Sequence, residues 1–92
     1  MAFDALGNDT RLKIFQLLVK NSKTGLNQGA LAELMGNMPR TTLAFHLSLL
    51  ENAGLCASEK IGKSVYYKPN CLLVRHMACF LLADCCQEDC KC

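Results

Sequence analysis

QGALAELMGNMPRTTLAFHLSLLENAGL, residues 28–55, is the stretch that decides the fold of this 92-residue chain. Its apolar residues recur at three- and four-residue spacing in two runs, which is the period of a helix buried on one side. The first run is Leu31, Leu34 and Met35, and the second is Leu43, Leu47 and Leu50. A Gly-Asn-Met-Pro turn at 36–39 separates the runs; Pro39 suits the first position of a helix and Gly54 its end. Two short helices around a tight turn predict a helix-turn-helix over residues 28–54.

The residues that follow predict a β-hairpin over 55–68, which we call the wing. Residues 55–60 and 64–68 alternate in polarity as strands do, and Ile61-Gly62-Lys63 between them is a glycine-containing hairpin loop. A helix-turn-helix followed by such a hairpin is a winged helix-turn-helix. The sequence therefore predicts one mainly α domain with a β-hairpin, spanning residues 1–92.

Helices are also predicted on both sides of this unit. Residues 2–7 predict a short helical turn, and residues 11–20 predict a helix whose buried side carries Leu12, Phe15, Leu18 and Val19. Asn27 suits the N-cap of the first helix of the helix-turn-helix. The last helix is expected over residues 70–86, and its apolar residues cover most of its circumference. A small domain cannot cover such a helix alone, so we expect a homodimer through the first and last helices, with Phe3 and Leu6 at the contact.

The distribution of charge favours a sequence-selective DNA-binding protein. The net charge is only +2, but basic residues lie in the helix-turn-helix and wing, whereas acidic residues gather at the C-terminal end. Because the first turns of a recognition helix enter the major groove, Arg40, Thr41, Thr42 and Phe45 are predicted DNA contacts. Lys60 and Lys63 at the wing tip are predicted to contact the DNA backbone or the minor groove. His46, further along the recognition helix, is a candidate contact to a phosphate or a base edge. Three alternatives stay open: Phe45 contacts thymine methyl groups or packs, His46 contacts DNA or packs, and each lysine contacts DNA or is a solvated charge.

Composition also bears on the compartment. No apolar run approaches the ~18–20 residues of a membrane span, and no basic segment leads into an apolar one at the N-terminus. We therefore expect a cytoplasmic protein that does not associate with membranes. Seven cysteines in a reducing compartment indicate thiol chemistry or metal binding before structural disulfides.

Four of those cysteines, Cys85, Cys86, Cys90 and Cys92, lie within residues 85–92 among polar neighbours. Thiolates select soft ions; three sulfurs satisfy As(III) or Sb(III), whereas Zn(II) or Cd(II) prefers four. The number of thiols alone does not decide between them. A thiol redox switch that pairs Cys85 or Cys86 with Cys90 or Cys92 is the rival interpretation of this cysteine-rich tail. Cys56, Cys71 and Cys79 lie in apolar stretches and are expected to pack in the core.

Several motifs resemble the ArsR/SmtB family of metalloregulatory repressors over residues 3–68. They are the opening Phe3-Asp-Ala-Leu-Gly-Asn-Asp-Thr-Arg-Leu-Lys-Ile, then Leu31-Ala-Glu-Leu-Met, His46-Leu-Ser-Leu-Leu-Glu-Asn-Ala-Gly-Leu and Gly62-Lys-Ser-Val-Tyr-Tyr. The resemblance implies a homodimeric winged-helix protein that releases its operator when an inducer binds.

Two departures from the family's patterns concern the inducer site. The recognition-helix region, residues 30–43, has none of the cysteines of the best-known arsenic sensors. The last helix has only His76, with Arg75 beside it, in place of the carboxylate and histidine ligands of zinc and cobalt sensors. The terminal cysteines resemble instead those of members that sense arsenite near the end of the last helix. This resemblance implies As(III) or Sb(III) as inducer, bound by Cys85, Cys86 and one of Cys90 or Cys92.

Other classes of function have less support. A metal buffer that binds no DNA does not explain the intact winged motif. The sequence has no acid–base pair, phosphate-cradling glycine loop or nucleophile with a visible base, so we expect neither an enzyme nor an organic cofactor.

Overall fold

The predicted winged helix-turn-helix is confirmed by the order of helices and strands. A computed structural model describes residues 2–83. The elements are α1 Ala2–Leu6, α2 Asp9–Lys20, β1 Leu26–Asn27, α3 Gln28–Leu34, α4 Arg40–Asn52, β2 Cys56–Ile61, β3 Ser64–Pro69 and α5 Cys71–Leu81. Helices α3 and α4 form the helix-turn-helix, and β2 and β3 form the wing.

Asparagine side chains begin three of the helices: Asn8 caps α2, Asn27 caps α3 and Asn70 caps α5. The Asn8 Oδ1 accepts hydrogen bonds from the backbone N–H groups of Thr10 and Arg11, at 2.9 and 3.1 Å. Helix α2 therefore begins at Asp9, two residues before the predicted start. The Asn27 Oδ1 accepts from the N–H of Ala30 at 2.8 Å, which confirms Asn27 as the N-cap of α3.

The turn between α3 and α4 depends on two left-handed residues. Gly36 and Asn37 have φ angles of +77° and +61°, and asparagine is one of the few side chains that tolerate this region. The N–H of Met38 then donates to the carbonyl of Ala32 at 3.1 Å. Pro39 keeps an extended ψ of 139° and lies just before α4 instead of in its first turn, so its predicted position was wrong by one residue.

Seven large side chains are almost completely buried and form the centre of the core. They are Ile14, Leu18, Leu31, Leu43, Leu47, Leu50 and Leu55. The predicted buried side of α4 is thereby confirmed. The predictions for Leu34, Leu12 and Val19 were wrong, because all three are exposed, Leu34 by 54% of its surface. Apolar spacing alone does not distinguish a core position from one left uncovered in a single chain.

The wing belongs to a three-stranded antiparallel sheet with the order β1-β3-β2. Strand β1 was not predicted, because the sequence indicated Asn27 only as a helix N-cap. It pairs with β3 through Leu26 opposite Tyr67 and Asn27 opposite Tyr66. The hairpin loop is only Gly62-Lys63, because Ile61 is still paired with Ser64. Gly62 has a φ of +63°, which suits the first position of a type II′ turn.

Helix α5 is shorter than predicted and is poorly covered. The expected helix to residue 86 was wrong at its C-terminal end, because α5 ends at Leu81. There the N–H of Leu82 donates to the carbonyls of Ala78 and Cys79, and the N–H of Ala83 to that of Phe80. Bonds to the third preceding residue tighten and close a helix. Helix α5 has no buried residue, so its apolar residues still need a covering surface.

Candidate nucleic-acid interface

One side of α4 is free of core contacts and faces outward. Its members recur at three- and four-residue spacing, opposite the buried leucines, and we call them the α4 outer face. They are Thr41, Ala44, Phe45, Ser48 and Asn52, all exposed. Arg40 and Thr42 are also exposed beside this face, so four of the predicted DNA contacts on α4 are accessible. Phe45 is 61% exposed and does not pack in the core, so the packing alternative was wrong, and its contact with thymine stays a prediction.

His46 occupies the edge of α4 that faces α2. Its Nδ1 lies 3.4 Å from Nη1 of Arg11, whose Nε donates to the carbonyl of Ala5 at 2.7 Å. Partial burial lowers the pKa of His46, and the positive charge of Arg11 lowers it further. The rings of Phe45 and His46 meet edge to face, with centroids 5.7 Å apart and planes at 62°. His46 therefore supports both the α2 contact and the Phe45 ring, and its contact with DNA stays a prediction.

A basic cleft lies between α3, the start of α4 and the wing. Its volume is about 370 Å³, and its walls include Gln28, Gly29, Arg40, Lys63 and Ser64. The Arg40 guanidinium lies over Gly29, where an added Cβ would come within 3.1 Å of Nη2. The two cations of this cleft come from the recognition helix and the wing. We refer to it below as the Arg40–Lys63 cleft.

The wing lysines are exposed on the hairpin. Lys60 lies opposite Val65 in the register, and Lys63 lies in the turn after Gly62. The structure thus brings Lys63 together with Arg40, whereas Lys60 is not part of that cleft. Gln28, Ala44 and Ser48 were missed as surface residues of this interface. For Ala44 and Ser48 the available signal was their position opposite the apolar period of α4.

The three described cysteines have different environments. Cys56 is buried, as predicted, and loss of solvent raises the pKa of its thiol to about 12, helped by the nearby carboxylate of Glu51. Cys71 is a free thiol, but the prediction that it packs in the core was wrong because it is exposed. Cys79 is half-buried and disulfide-bonded.

The predicted metalloid ligands fall outside the described residues, which end at position 83. This applies to Cys85, Cys86, Cys90 and Cys92. Within residues 2–83 no three His, Cys, Asp or Glu side chains lie close enough together to hold a metal ion. His76 is exposed on α5. No helix in the same range has both the length and the apolar character needed to cross a membrane.

Residues 6–58 match a family model described as "Helix-turn-helix domain". An uncharacterized HTH-type transcriptional regulator of Bacillus subtilis, YbzH, is 30% identical over 93 residues, covering 89% of this chain and 93% of its own. These matches confirm that the chain is not an enzyme, because the proteins it resembles are DNA-binding regulators.

Solved structures extend the likeness from the sequence to the fold. An ArsR-like transcriptional regulator from Rhodococcus sp. RHA1 superposes with a TM-score of 0.75 and is 27% identical, over 88% of this chain and 73% of that one. A homodimeric winged helix-turn-helix DNA-binding domain from Mycobacterium bovis, a possible ArsR-family regulator, gives a TM-score of 0.72 at 28% identity, over 89% and 73% of the two chains. The chain belongs to the helix-turn-helix transcriptional regulators, and its fold is similar to that of ArsR-type winged helix-turn-helix proteins.

Proposed function

We propose that this regulator is an arsenite- or antimonite-responsive repressor, which binds operator DNA as a homodimer in the cytoplasm. In this proposal As(III) binds Cys85, Cys86 and one of Cys90 or Cys92, and DNA is released. The observation that carries the proposal is the placement of four thiols in residues 85–92, just after the uncovered helix α5. No competing set of three donors exists among residues 2–83.

The donor chemistry fits a trivalent metalloid. Thiolates are soft ligands, and in the sequence the four thiols stand among the polar residues Gln87, Glu88 and Asp89, a pattern that does not favour a buried core. The buried Cys56 does not compete, since its raised pKa keeps it protonated near neutral pH. Three sulfurs complete a pyramidal As(III) site. With a fourth thiol the tail could also supply the four ligands that Cd(II) or Zn(II) prefers, so the inducer must be identified by titration.

We assign the DNA contacts to the α4 outer face, the Arg40–Lys63 cleft and the wing. Thr41, Thr42 and Phe45 stand on the exposed part of α4, where a recognition helix meets the major groove. Arg40 and Lys63 line one cleft, and two cations together suit a backbone phosphate. Lys60 and His46 are assigned peripheral contacts. With a net charge of only +2, this local concentration of positive charge matters more than the total.

The homodimer is argued from uncovered apolar surface. Helix α5 exposes Leu72, Phe80 and Leu81, and α1 exposes Phe3. A surface of this kind on a small domain is typical of a subunit contact. Two copies related by a two-fold axis would also present two recognition helices, as two half-sites about one DNA turn apart require. The homodimeric neighbour from Mycobacterium bovis supports the same arrangement.

Asn70 offers a route from α5 to the recognition helix. Its Oδ1 accepts from the N–H of Leu73 at 3.2 Å, and its Nδ2 donates to the carbonyl of Gly54 at 2.9 Å. Its own N–H donates to the carbonyl of Leu55 at 2.7 Å. One residue therefore ties the start of α5 to the end of α4. A shift of α5 caused by ligation of the tail would reach α4 through this joint.

An anaerobic titration of the fully reduced protein with arsenite tests the sensor proposal. We expect one arsenic per chain, a new sulfur-to-arsenic absorbance and protection of three thiols from a thiol reagent. Cys85→Ser and Cys86→Ser should abolish binding. Cys71→Ser is the matched control, because Cys71 is exposed and free but lies outside the tail. If the absorbance does not change and every free thiol still reacts, arsenite sensing is refuted. If instead cadmium saturates the protein and protects four thiols, cadmium would be the inducer in place of arsenite.

Operator release is tested separately. Linkage requires that arsenite weaken DNA binding and that DNA weaken arsenite binding by the same factor, typically ~5–150-fold. Calorimetry with and without a selected DNA duplex measures both sides of this cycle. Equal arsenite affinities in the two experiments would rule out equilibrium coupling, even if both ligands bind.

A thiol redox switch is the second candidate, favoured by the disulfide at Cys79. The residue lies on α5, so its oxidation state would act on the same uncovered helix. Peroxide or polysulfide should then release DNA in metal-free buffer, and a thiol reductant should restore binding. Cys79→Ser would abolish this response but leave arsenite titration intact, so one variant separates the two candidates.

A further inference from the structure

The most exposed feature of the recognition helix is an aromatic ring. Phe45 is 61% exposed on a helix whose opposite side fills the core. It is the sixth residue of α4, about 8 Å along the axis from Arg40 at a rise of ~1.5 Å per residue. A helix that enters a major groove with its first turns therefore carries this ring to the base edges.

The ring has a fixed support and stands apart from other large apolar side chains of its own helix face. His46 contacts it edge to face, and His46 is itself held against Arg11 of α2. One turn before and after Phe45 on the exposed side are Thr41, Thr42 and Ser48, which are polar. A protein-binding site normally needs a contiguous apolar patch of several hundred square ångströms. One ring with small neighbours suits a groove better.

The side chains of the α4 outer face favour some bases over others. Its hydroxyl groups, on Thr41 and Ser48, bond to acceptors or donors of any base pair. It has no carboxylate to accept from cytosine, because residues 40–50 of α4 contain no Asp or Glu. Arg40, the one side chain suited to guanine, lies over Gly29 in the cleft with Lys63. Asn52, whose amide suits adenine, is the last residue of α4, seven residues beyond Phe45. In the first turns of the face, what remains beside the hydroxyl groups is apolar: the Phe45 ring and the methyl group of Ala44.

We propose that the α4 outer face recognises thymine by its C5-methyl group, with Phe45 as the principal specificity-determining residue and Ala44 beside it. The methyl group of thymine is the one apolar group that a base pair presents in the major groove. This inference rests on the proposed function, since it requires operator DNA at this face. It assigns Arg40 and Lys63 to the backbone and leaves base selection to apolar contact.

Replacing thymine by uracil tests the proposal, because uracil keeps every hydrogen-bonding group and lacks only the methyl. The protein would first select duplexes from a random DNA pool, and each thymine of the best duplex would then be replaced singly. Burial of one methyl-sized group is worth ~0.8 kcal/mol, so we expect about fourfold weaker binding at each contacted position. Uracil elsewhere in the duplex should have no effect.

A double-mutant cycle connects the methyl group to the ring. In Phe45→Ala the contacted thymine and uracil duplexes should bind equally, whereas Phe45→Leu should retain the preference. Lys63→Ala is the matched control: it should weaken binding to both duplexes alike. Because position 45 is exposed, its variants should keep the wild-type urea midpoint.

Three other outcomes would count against thymine recognition by Phe45. Equal binding of thymine and uracil duplexes by the wild-type protein, or a methyl preference that survives in Phe45→Ala, would overturn the inference while leaving DNA binding intact. A change in self-association of Phe45→Ala, with unchanged DNA affinity, would identify Phe45 as a protein contact. If no duplex is selected at all, the proposed function itself fails.

Discussion

At the scale of single residues, Gly29 makes room for the Arg40 guanidinium. A Cβ at this position would lie 3.1 Å from Nη2, so Gly29→Ala should displace the end of the arginine side chain. Alanine is also the better helix former, so we expect stability to stay equal or rise by up to ~1 kcal/mol. DNA affinity should fall several-fold. Urea unfolding and fluorescence anisotropy with a DNA duplex measure the two effects separately.

The same variant in an Arg40→Ala background is its control. If Gly29 acts through Arg40, Gly29→Ala should have no further effect on affinity there. Arg40→Ala alone should reduce the dependence of binding on salt by about one released counterion, as expected when a phosphate contact is lost. An undiminished effect of Gly29→Ala in the double variant would contradict the displacement argument.

Cys56 and Cys71 should differ sharply in reactivity. The pKa of Cys56 is raised to about 12 by burial, so iodoacetamide at about pH 8 should modify Cys71 in the native protein and Cys56 only after unfolding. Mass spectrometry of digested peptides measures this. Because the folded state favours the protonated thiol, its contribution to stability is fully present below the ordinary thiol pKa of the unfolded chain and is lost as pH rises through about 12. Rapid native modification of Cys56 would contradict its burial.

At the scale of elements, Asn70 should matter for communication more than for DNA binding itself. It caps α5 and bonds the carbonyl of Gly54 at the end of α4. Asn70→Ala should cost ~1–2 kcal/mol of stability and reduce the factor by which arsenite weakens DNA binding. Asn8→Ala is the matched control, since it removes a comparable cap from α2. If both variants change the coupling equally, Asn70 has no special part in it.

Some helices and strands could be predicted from the sequence and others could not. The apolar period of α4, the asparagine cap of α3 and the wing hairpin are local patterns, and they predicted the helix-turn-helix and wing correctly. Strand β1 is two residues long, and only its pairing with Tyr66 and Tyr67 far along the chain defines it. Leu12 and Val19 continue the period of α2 but are exposed, because sequence spacing does not say which other surface covers a helix.

For the candidate site, local patterns correctly placed Thr41 and Phe45 on the exposed side of α4, and their contacts with DNA stay a prediction. They did not show that Arg40 lies over Gly29 or that His46 contacts Arg11 of another helix, since both contacts depend on tertiary packing. The alternation of polarity located Lys60 in a strand of the hairpin and the glycine-containing loop located Lys63, but only the folded sheet brings Lys63 to the Arg40–Lys63 cleft.

At the scale of the whole molecule, the uncovered apolar side should be the dimer contact. Phe80 is 73% exposed, the highest value among the large apolar side chains of residues 2–83. Phe80→Glu should therefore yield a monomer, because a carboxylate is costly to bury in an apolar contact. Sedimentation equilibrium measures this, and Phe80→Leu should stay dimeric. DNA affinity should also fall, because a monomer can bind only one half-site. If Phe80→Glu remains a dimer, the dimer contact lies on another surface.

The two-residue strand β1 has a mechanical consequence. Asn27 caps α3 through its side chain and pairs with Tyr66 of the wing through its backbone, so the root of the hairpin is anchored to the helix-turn-helix. The wing is therefore fixed at its base to the body of the protomer and moves with it. Because Lys63 lies at the tip of the hairpin, a small rotation of the protomer would displace it further than any atom of the core. If the wing contacts DNA as proposed, the hairpin tip would be the first part to leave it.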